Sequence, residues 1–179
     1  MLKALLIIDM QRFVTDRMQQ GVAYHPVNAV ENMKCILKQF RQAGQPVIHV
    51  RHRTSEQGSL LHENSPSFLP VESFEEQQGE PVFTKTTSSA FSSTDLLSYI
   101  QRFPISEIVV TGAVAGFCVN STVRAGADSG LQITVIEDAV ISFELHEQHI
   151  SAKSILDVTL ALLKTDFAKV IATAEFQVV

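Results

Sequence analysis

The segment VTGAVAGFCVNS, residues 110–121, decides how this sequence is interpreted. It joins the end of a β-branched run to a turn of small residues, and the turn leads directly to Cys118. Glycine-rich turns between a strand and a helix often bind phosphate through their backbone N–H groups. Here the turn delivers a thiol, so a cysteine nucleophile is the alternative to a nucleotide-binding turn.

The rest of the chain alternates short apolar runs with amphipathic stretches. The apolar runs predict strands over residues 3–9, 46–51, 81–85, 106–112, 131–138 and 168–173. The amphipathic stretches predict helices over residues 26–43, 94–102, about 117–129 and 147–164. Since continuous apolar strands that alternate with helices are typical of parallel sheets, we predict a Rossmann-like α/β fold with three αβα layers and a six-stranded parallel sheet. Residues 52–80 are polar and aperiodic, and we expect them to form a long functional loop.

The composition is that of a globular protein, and we expect one domain over residues 1–179. A formal net charge of −5 provides no basic surface, so neither nucleic acid nor a membrane is an expected partner. No apolar run approaches the roughly 20 residues of a membrane span. Asp9 interrupts the first apolar run, so no signal peptide is expected. The two cysteines, Cys35 and Cys118, are not expected to form a disulfide, and we predict a cytoplasmic protein.

Several polar residues follow the predicted strands, at the edge where parallel sheets bind ligands. Asp9 follows the first strand, Lys85 ends the third, and Cys118 begins the helix after the fourth. Unpaired N–H groups and the helix dipole favour an anion near a helix N-terminus, so we expect a lowered thiol pKa at Cys118. Each residue also has a structural alternative: Cys118 as a small buried apolar side chain, Asp9 as a turn cap and Lys85 as an exposed lysine. Together they predict a catalytic site in which Asp9 is the general base.

These residues lie in motifs that resemble the isochorismatase-like cysteine hydrolase superfamily. The resemblance covers nearly the whole chain, in the order LLIIDMQ, VRH, FTKTTSSAF, VVTGAVAGFCVNSTVRAGADSG and VIEDAV. It implies a six-stranded parallel α/β fold and a catalytic triad of Asp9, Lys85 and Cys118. It also implies a non-proline cis peptide between Ala113 and Val114, and an oxyanion hole formed by the N–H groups of Val114 and Cys118.

The resemblance also implies the type of reaction. Isochorismatases proper cleave a vinyl ether and lack the cysteine, so Cys118 favours hydrolysis of a C–N bond in an amide, carbamoyl or ureido group of a small molecule, through a thioester. Two alternatives are an isochorismatase-type reaction and a catalytically degenerate scaffold that acts as an oligomeric binding protein. A short-chain dehydrogenase turn is disfavoured, because Cys118 replaces its last glycine and the turn follows the fourth strand rather than the first. The resemblance further implies a homo-oligomer, either a dimer or a tetramer.

No cofactor and no metal are expected. Nicotinamidases of this superfamily bind a metal through an Asp-x-His pair and a further His, whereas the corresponding segment here is HVRHRT, which contains no Asp. His49 and His52 are three residues apart on a strand, so we expect them to point to opposite faces. Nicotinamide is therefore not an expected substrate.

Substrate specificity is carried by weaker signals. The candidates to line the substrate pocket are Phe13, Arg51, His52, Phe91 and Phe117. Arg51 suits a substrate carboxylate, because a guanidinium group can bind one with two parallel hydrogen bonds. The alternatives are core packing for the aromatic residues and a solvated charge for Arg51.

Overall fold

A single sheet organises residues 2–178, which are the residues that the computed structural model describes. Its strands are β1 (Leu2–Ile8), β2 (Tyr24–His25), β3 (Val47–His52), β4 (Val82–Lys85), β5 (Ile105–Ala113), β6 (Ile133–Phe143) and β7 (Lys169–Ile171). The helices are α1 (Arg12–Gln19), α2 (Ala29–Gln42), α3 (Leu96–Gln101), α4 (Asn120–Asp128) and α5 (Ala152–Asp166).

Six of the strands run parallel, in the order β7–β6–β5–β1–β3–β4. β2 is two residues long and pairs antiparallel with the end of β6. One face of the sheet packs on α1 and α2, and the other face packs on α3, α4 and α5. The predicted three-layer α/β fold with six parallel strands is therefore confirmed. Within residues 2–178, no helix is long and apolar enough to cross a membrane.

The first two helices differ from the prediction. The sequence pattern does not indicate α1, because Val14 is the one fully buried residue among the otherwise polar or half-buried residues of Arg12–Gln19. α2 begins at Ala29 rather than near Pro26. The N–H of Ala29 donates to the carbonyl of Pro26, so a separate turn precedes the helix.

The second half of the chain contains two further differences. β6 continues to Phe143, beyond the predicted end at residue 138, and its register against β5 shifts on the way. The polar pair Glu137 and Asp138 interrupts the apolar run without ending the strand. α5 begins at Ala152 rather than at residue 147, because the Ser151 side chain caps it by accepting the N–H of Ser154.

A polar cluster joins α2, β3 and the segment just before β4 on the α2 face of the sheet. Arg41 donates to both carboxylate oxygens of Glu80 at 2.8 Å, and His49 Nε2 lies 2.8 Å from the same carboxylate. Burial acts to raise the pKa of Glu80, but hydrogen bonds from Arg41, the Gln77 N–H and His49 outweigh it and bring the pKa to about 2. Burial holds the pKa of His49 below its ordinary value. The cluster therefore binds the two strands that carry His52 and Lys85 to the helix layer.

This cluster predicts a loss of stability in acid. A carboxyl group whose pKa is lowered by folding stabilises the folded state above its unfolded pKa of 4.5, and this contribution is lost as the pH falls toward 2. His49, which folding keeps neutral, adds to the loss from pH 6.5 downward. We expect Glu80→Gln to lower the free energy of unfolding at pH 7 by about 1–3 kcal/mol. Urea unfolding at several pH values checks this, and an unchanged acid slope in the variant would contradict it.

Candidate active site

Four polar side chains meet at the carboxyl edge of the sheet. Asp9 follows β1, His52 ends β3, Lys85 ends β4, and Cys118 lies in the π-helical turn Ala115–Val119 after β5. The Nζ atom of Lys85 lies 2.9 Å from Asp9 Oδ2, 3.1 Å from Cys118 Sγ and 2.7 Å from His52 Nδ1. Lys85 is completely buried, so the alternative of an exposed lysine is wrong.

The strand register brings these residues together. Ile8 pairs with Gly112 across β1 and β5, and His52 pairs with Lys85 across β3 and β4. Because parallel strands in register end at the same edge, the residues at or just beyond these pairs become neighbours. Asp9 has a positive φ of 51°, so the chain turns out of the sheet immediately after β1.

Gly112 allows β5 to approach β1 beside Asp9. Its φ is +124°, a conformation that side chains rarely adopt. A Cβ atom at this position would lie 2.1 Å from the carbonyl oxygen of Ile8 and 2.7 Å from its nitrogen. One residue further on, the peptide bond between Ala113 and Val114 is cis. The contact is with backbone, so no side-chain rearrangement can make room for a larger residue.

Gly112→Ala is therefore expected to destabilise the protein by about 3 kcal/mol or more, through both backbone strain and overlap with β1. Gly130→Ala is the matched control, because Gly130 also has a positive φ, of +83°, but has nothing within 4 Å of the added Cβ. Urea unfolding of both variants separates the two effects. Equal losses of stability would show that the close approach to Ile8 carries no cost.

Two backbone N–H groups in or beside the turn after β5, those of Val114 and Cys118, have no acceptor elsewhere in residues 2–178. The N–H groups of Phe117 and Val119 both donate to the carbonyl of Val114, at 3.0 and 3.3 Å. Among residues 2–178, the Val114 N–H donates to no acceptor, and the Cys118 N–H donates to none outside its own turn. Free N–H groups beside a nucleophile are the donors that a developing oxyanion needs.

The electrostatic environment of Cys118 differs from the prediction. Burial and the neighbouring Asp9 carboxylate raise the pKa of the thiol to about 12, and Lys85 only partly opposes them. The expectation of a lowered thiol pKa is therefore wrong, because the helix N-terminus acts here inside a buried site that already contains an anion. Before a substrate binds, the thiol is protonated at neutral pH.

Asp9 is suited to accept that proton. Burial raises the pKa of its carboxyl group, although the Lys85 ammonium acts in the opposite direction. Oxygen Oδ2 contacts Lys85, whereas Oδ1 is buried and has no hydrogen-bond partner in the part of the chain that the structure describes. A buried carboxylate oxygen without a donor is a strong proton acceptor.

Three members of this cluster are close enough together to be considered as metal ligands, and they form the one such group within residues 2–178. Donor atoms of Asp9, His52 and Cys118 all lie within 4.8 Å of one another. Lys85 Nζ contacts all three residues, so an ammonium group occupies the position that an ion would need. His49 points away from the cluster to Glu80, as the strand spacing predicts.

The structure does not bring Arg51 to this cluster. Its guanidinium group pairs with Glu76, whereas its neighbour His52 faces Lys85. Successive residues of a strand point to opposite faces, so Arg51 and His52 cannot both face the thiol. A substrate-binding role for Arg51 has no support in its position.

The three aromatic candidates lie in different places. Phe13 packs against the apolar cluster on the α2 face. Phe91 packs on the opposite face, against Gly126 of α4. Phe117 is adjacent to Cys118 and its side chain is 51% exposed. Of the three, Phe117 alone is adjacent in sequence to a member of the cluster.

Gln11 is a buried residue that sequence reasoning did not select. Its side chain accepts the N–H of His52 at 2.8 Å and donates to the carbonyl of the same residue at 3.1 Å. It also donates to the carbonyl of Phe68 at 2.9 Å. Its place in the LLIIDMQ motif was the available signal, because a buried glutamine three residues after a buried strand needs partners for its amide.

The predicted long loop is partly ordered by these contacts. It contains a short 3₁₀ turn, Pro66–Phe68, and Ser67 donates to Asp16 of α1 at 2.6 Å. Its first part borders a cavity of about 540 Å³. The lining residues are Arg53, Thr54, Ser55, Glu56, His62, Glu63 and Thr86, the last of which directly follows Lys85.

The fold and the site define a class: three-layer α/β proteins with a buried Asp–Lys–Cys cluster at the carboxyl edge of a parallel sheet. Residues 3–175 match the family described as Isochorismatase domain, and the chain belongs to this family of hydrolases. The isochorismatase family proteins YrdC and YddQ of Bacillus subtilis are each 30% identical to it. The two matches cover 96% and 98% of this chain, and 92% and 99% of those proteins. The crystal structure of an isochorismatase-family hydrolase from Chromobacterium violaceum superposes with a TM-score of 0.89 at 29% identity, covering 97% of this chain and 90% of that one.

Proposed function

We propose that this protein hydrolyses a C–N bond in an amide, carbamoyl or ureido group of a small molecule, with Cys118 as the nucleophile. One observation carries the proposal: a completely buried ammonium group, Lys85 Nζ, contacts both a carboxylate, Asp9, and a thiol, Cys118. Burying such a set without a function is costly, and carboxylate, cation and thiol are the groups that acyl transfer through a thioester requires.

The geometry suits the first half of the reaction. Asp9 accepts the thiol proton of Cys118, and the resulting thiolate, paired with Lys85, attacks the substrate carbonyl carbon. The negative oxygen of the tetrahedral intermediate is accommodated by the N–H groups of Val114 and Cys118. Asp9 then returns its proton to the leaving nitrogen, the C–N bond breaks, and an acyl thioester on Cys118 remains.

The second half uses the same groups with water. Asp9, again a carboxylate, accepts a proton from water as the water oxygen attacks the thioester carbonyl. The C–S bond breaks, the thiolate recovers the proton from Asp9, and the acid product leaves. The cavity beside Thr86 is the proposed approach for substrate, because it opens next to the residue that follows Lys85.

More distant relatives support the reaction class. Nicotinamidase 3 of Arabidopsis thaliana is 24% identical over 80% of this chain, and the streptothricin hydrolase of Streptomyces noursei is 26% identical over 80%. The ureidoacrylate amidohydrolase RutB of Klebsiella pneumoniae is 30% identical over 65% of this chain, a match that spans 42% of RutB. The names nicotinamidase and ureidoacrylate amidohydrolase describe hydrolysis of an amide or ureido group, and these two relatives are the basis for proposing that reaction class here.

A screen of small amides tests the proposal. Purified protein is incubated with primary amides, ureas and carbamoyl amino acids while ammonia release is recorded, and acid-quenched samples are analysed by intact-mass and peptide mass spectrometry for an acyl adduct. We expect release with at least one class and an adduct on the peptide that contains Cys118. Release without any adduct at Cys118 counts against Cys118 as the nucleophile, whereas no release from any class counts against the proposal as a whole and favours the degenerate scaffold.

The homo-oligomer and the cytoplasmic location stay predictions. The chain has a mass of 19.7 kDa. Light scattering during size-exclusion chromatography therefore distinguishes a dimer or tetramer from a monomer directly.

A further inference from the structure

His52 supplies the third contact of the buried ammonium group. A lysine ammonium group has three N–H donors and no acceptor. In this structure Lys85 Nζ faces three acceptor atoms, on Asp9, Cys118 and His52, and the His52 distance of 2.7 Å is the shortest. Because Lys85 is completely buried, an N–H that lost its acceptor would have no water to replace it.

The contact determines the chemical state of the imidazole ring. Nδ1 can accept from an ammonium group only when it carries no proton, so in the neutral ring the proton is on Nε2. Burial and the charge of Lys85 lower the pKa of His52 to about 4, which keeps the ring neutral at neutral pH. The backbone of His52 is held in place by the Gln11 side chain, through both its N–H and its carbonyl.

We propose that His52 is a positioning residue for the hydrolysis proposed above: its unprotonated Nδ1 holds the Lys85 ammonium against Asp9 and Cys118. Through Lys85, it stabilises the thiolate when Asp9 takes the proton. In this role His52 is neither the general base nor a metal ligand. The link to catalysis rests on the proposed function, whereas the Nδ1 contact does not.

The first test is nitrogen NMR of the uniformly ¹⁵N-labelled wild-type protein, with His52 assigned by comparison with His52→Asn. We expect an unprotonated, pyridine-type Nδ1 and a protonated Nε2 at pH 7. A proton on Nδ1, or a charged imidazolium ring at that pH, would overturn the proposal. This measurement requires no substrate, and the protonation state is read from the wild-type protein itself.

The second test is the rate of Cys118 alkylation by iodoacetamide between pH 6 and 10, in a Cys35→Ala background. His52→Leu removes the acceptor, and we expect alkylation to slow about tenfold. His52→Asn places an amide oxygen near the position of Nδ1 and should restore most of the rate, while His146→Leu, at an exposed position, should change nothing. Equal rates in His52→Leu and wild type would refute the positioning role. If the amide screen finds no substrate, both tests still decide whether His52 holds Lys85.

Discussion

Cys118→Ala is expected to abolish ammonia release from whichever amide the screen identifies, by about 10⁴-fold or more. Without the sulfur atom no thioester can form, and the Asp9–Lys85 pair has no nucleophile to activate. The folded state should persist, because the side chain is only partly buried and alanine leaves the backbone N–H unchanged. Kinetics, thermal unfolding and intact-mass analysis of the quenched enzyme together measure this.

Cys35→Ala is the matched control for this prediction. Cys35 is exposed on α2. Its sulfur atom accepts one hydrogen bond within residues 2–178, from the Gln39 side chain at 3.7 Å. The control should retain full activity and still form the acyl adduct. Turnover that persists in Cys118→Ala would exclude the thioester mechanism, and Asp9 with bound water would then be the remaining catalytic group.

Much of the fold follows from local patterns in the sequence. The runs that become β1, the second half of β5 and the first half of β6 are mostly apolar, as expected for strands with both faces covered by helices. The pattern does not reveal α1, since that helix contributes one fully buried residue, Val14. Nor does it give the true length of β6, because the polar residues Glu137 and Asp138 lie within the strand and look like its end.

The members of the candidate site could be predicted from strand ends, but their electrostatics could not. Each of the three candidate catalytic residues lies at or just beyond the end of a strand: Asp9 after β1, Lys85 at the end of β4 and Cys118 after β5. The thiol pKa depends on how deeply the three are buried together, which is a property of tertiary packing. The prediction from the helix terminus alone therefore had the wrong sign.

The side-chain contacts between residues far apart in sequence could not be predicted from local patterns either. Arg51 and His52 are adjacent in a strand, so their side chains point to opposite faces of the sheet. The two residues therefore could not both line one pocket, as predicted from the sequence. The choice between them depends on Glu76 and Lys85, which lie far along the chain.

Raised pKa values at both Asp9 and Cys118 have a consequence for catalysis. A protonated thiol is a poor nucleophile, and its proton moves to Asp9 only when the thiolate gains stabilisation. Lys85 lowers the pKa of both groups. The ammonium group therefore stabilises the pair in either protonation state, and the balance between Asp9 and Cys118 decides where the proton lies.

Asp9→Asn and Lys85→Met are accordingly expected to change the ionisation of Cys118 in opposite directions, while each lowers turnover by about 10³-fold. Asp9→Asn removes the negative charge that raises the thiol pKa, so the ammonium–thiolate pair should form at lower pH than in the wild type. Lys85→Met removes the cation that lowers it, so the thiol should stay protonated throughout the range in which the protein is folded. Turnover falls in the first variant because no acid protonates the leaving nitrogen, and in the second because no thiolate forms.

Ultraviolet absorbance of the thiolate, recorded against pH in the Cys35→Ala background, measures both ionisations. Circular dichroism at each pH defines the range in which each variant is folded. A common direction of change in the two variants would mean that charge does not govern the thiol, and the proton transfer from Cys118 to Asp9 would lose its basis. Opposite changes with retained turnover would instead separate thiol ionisation from catalysis, because Lys85→Met would then hydrolyse its substrate without forming a thiolate.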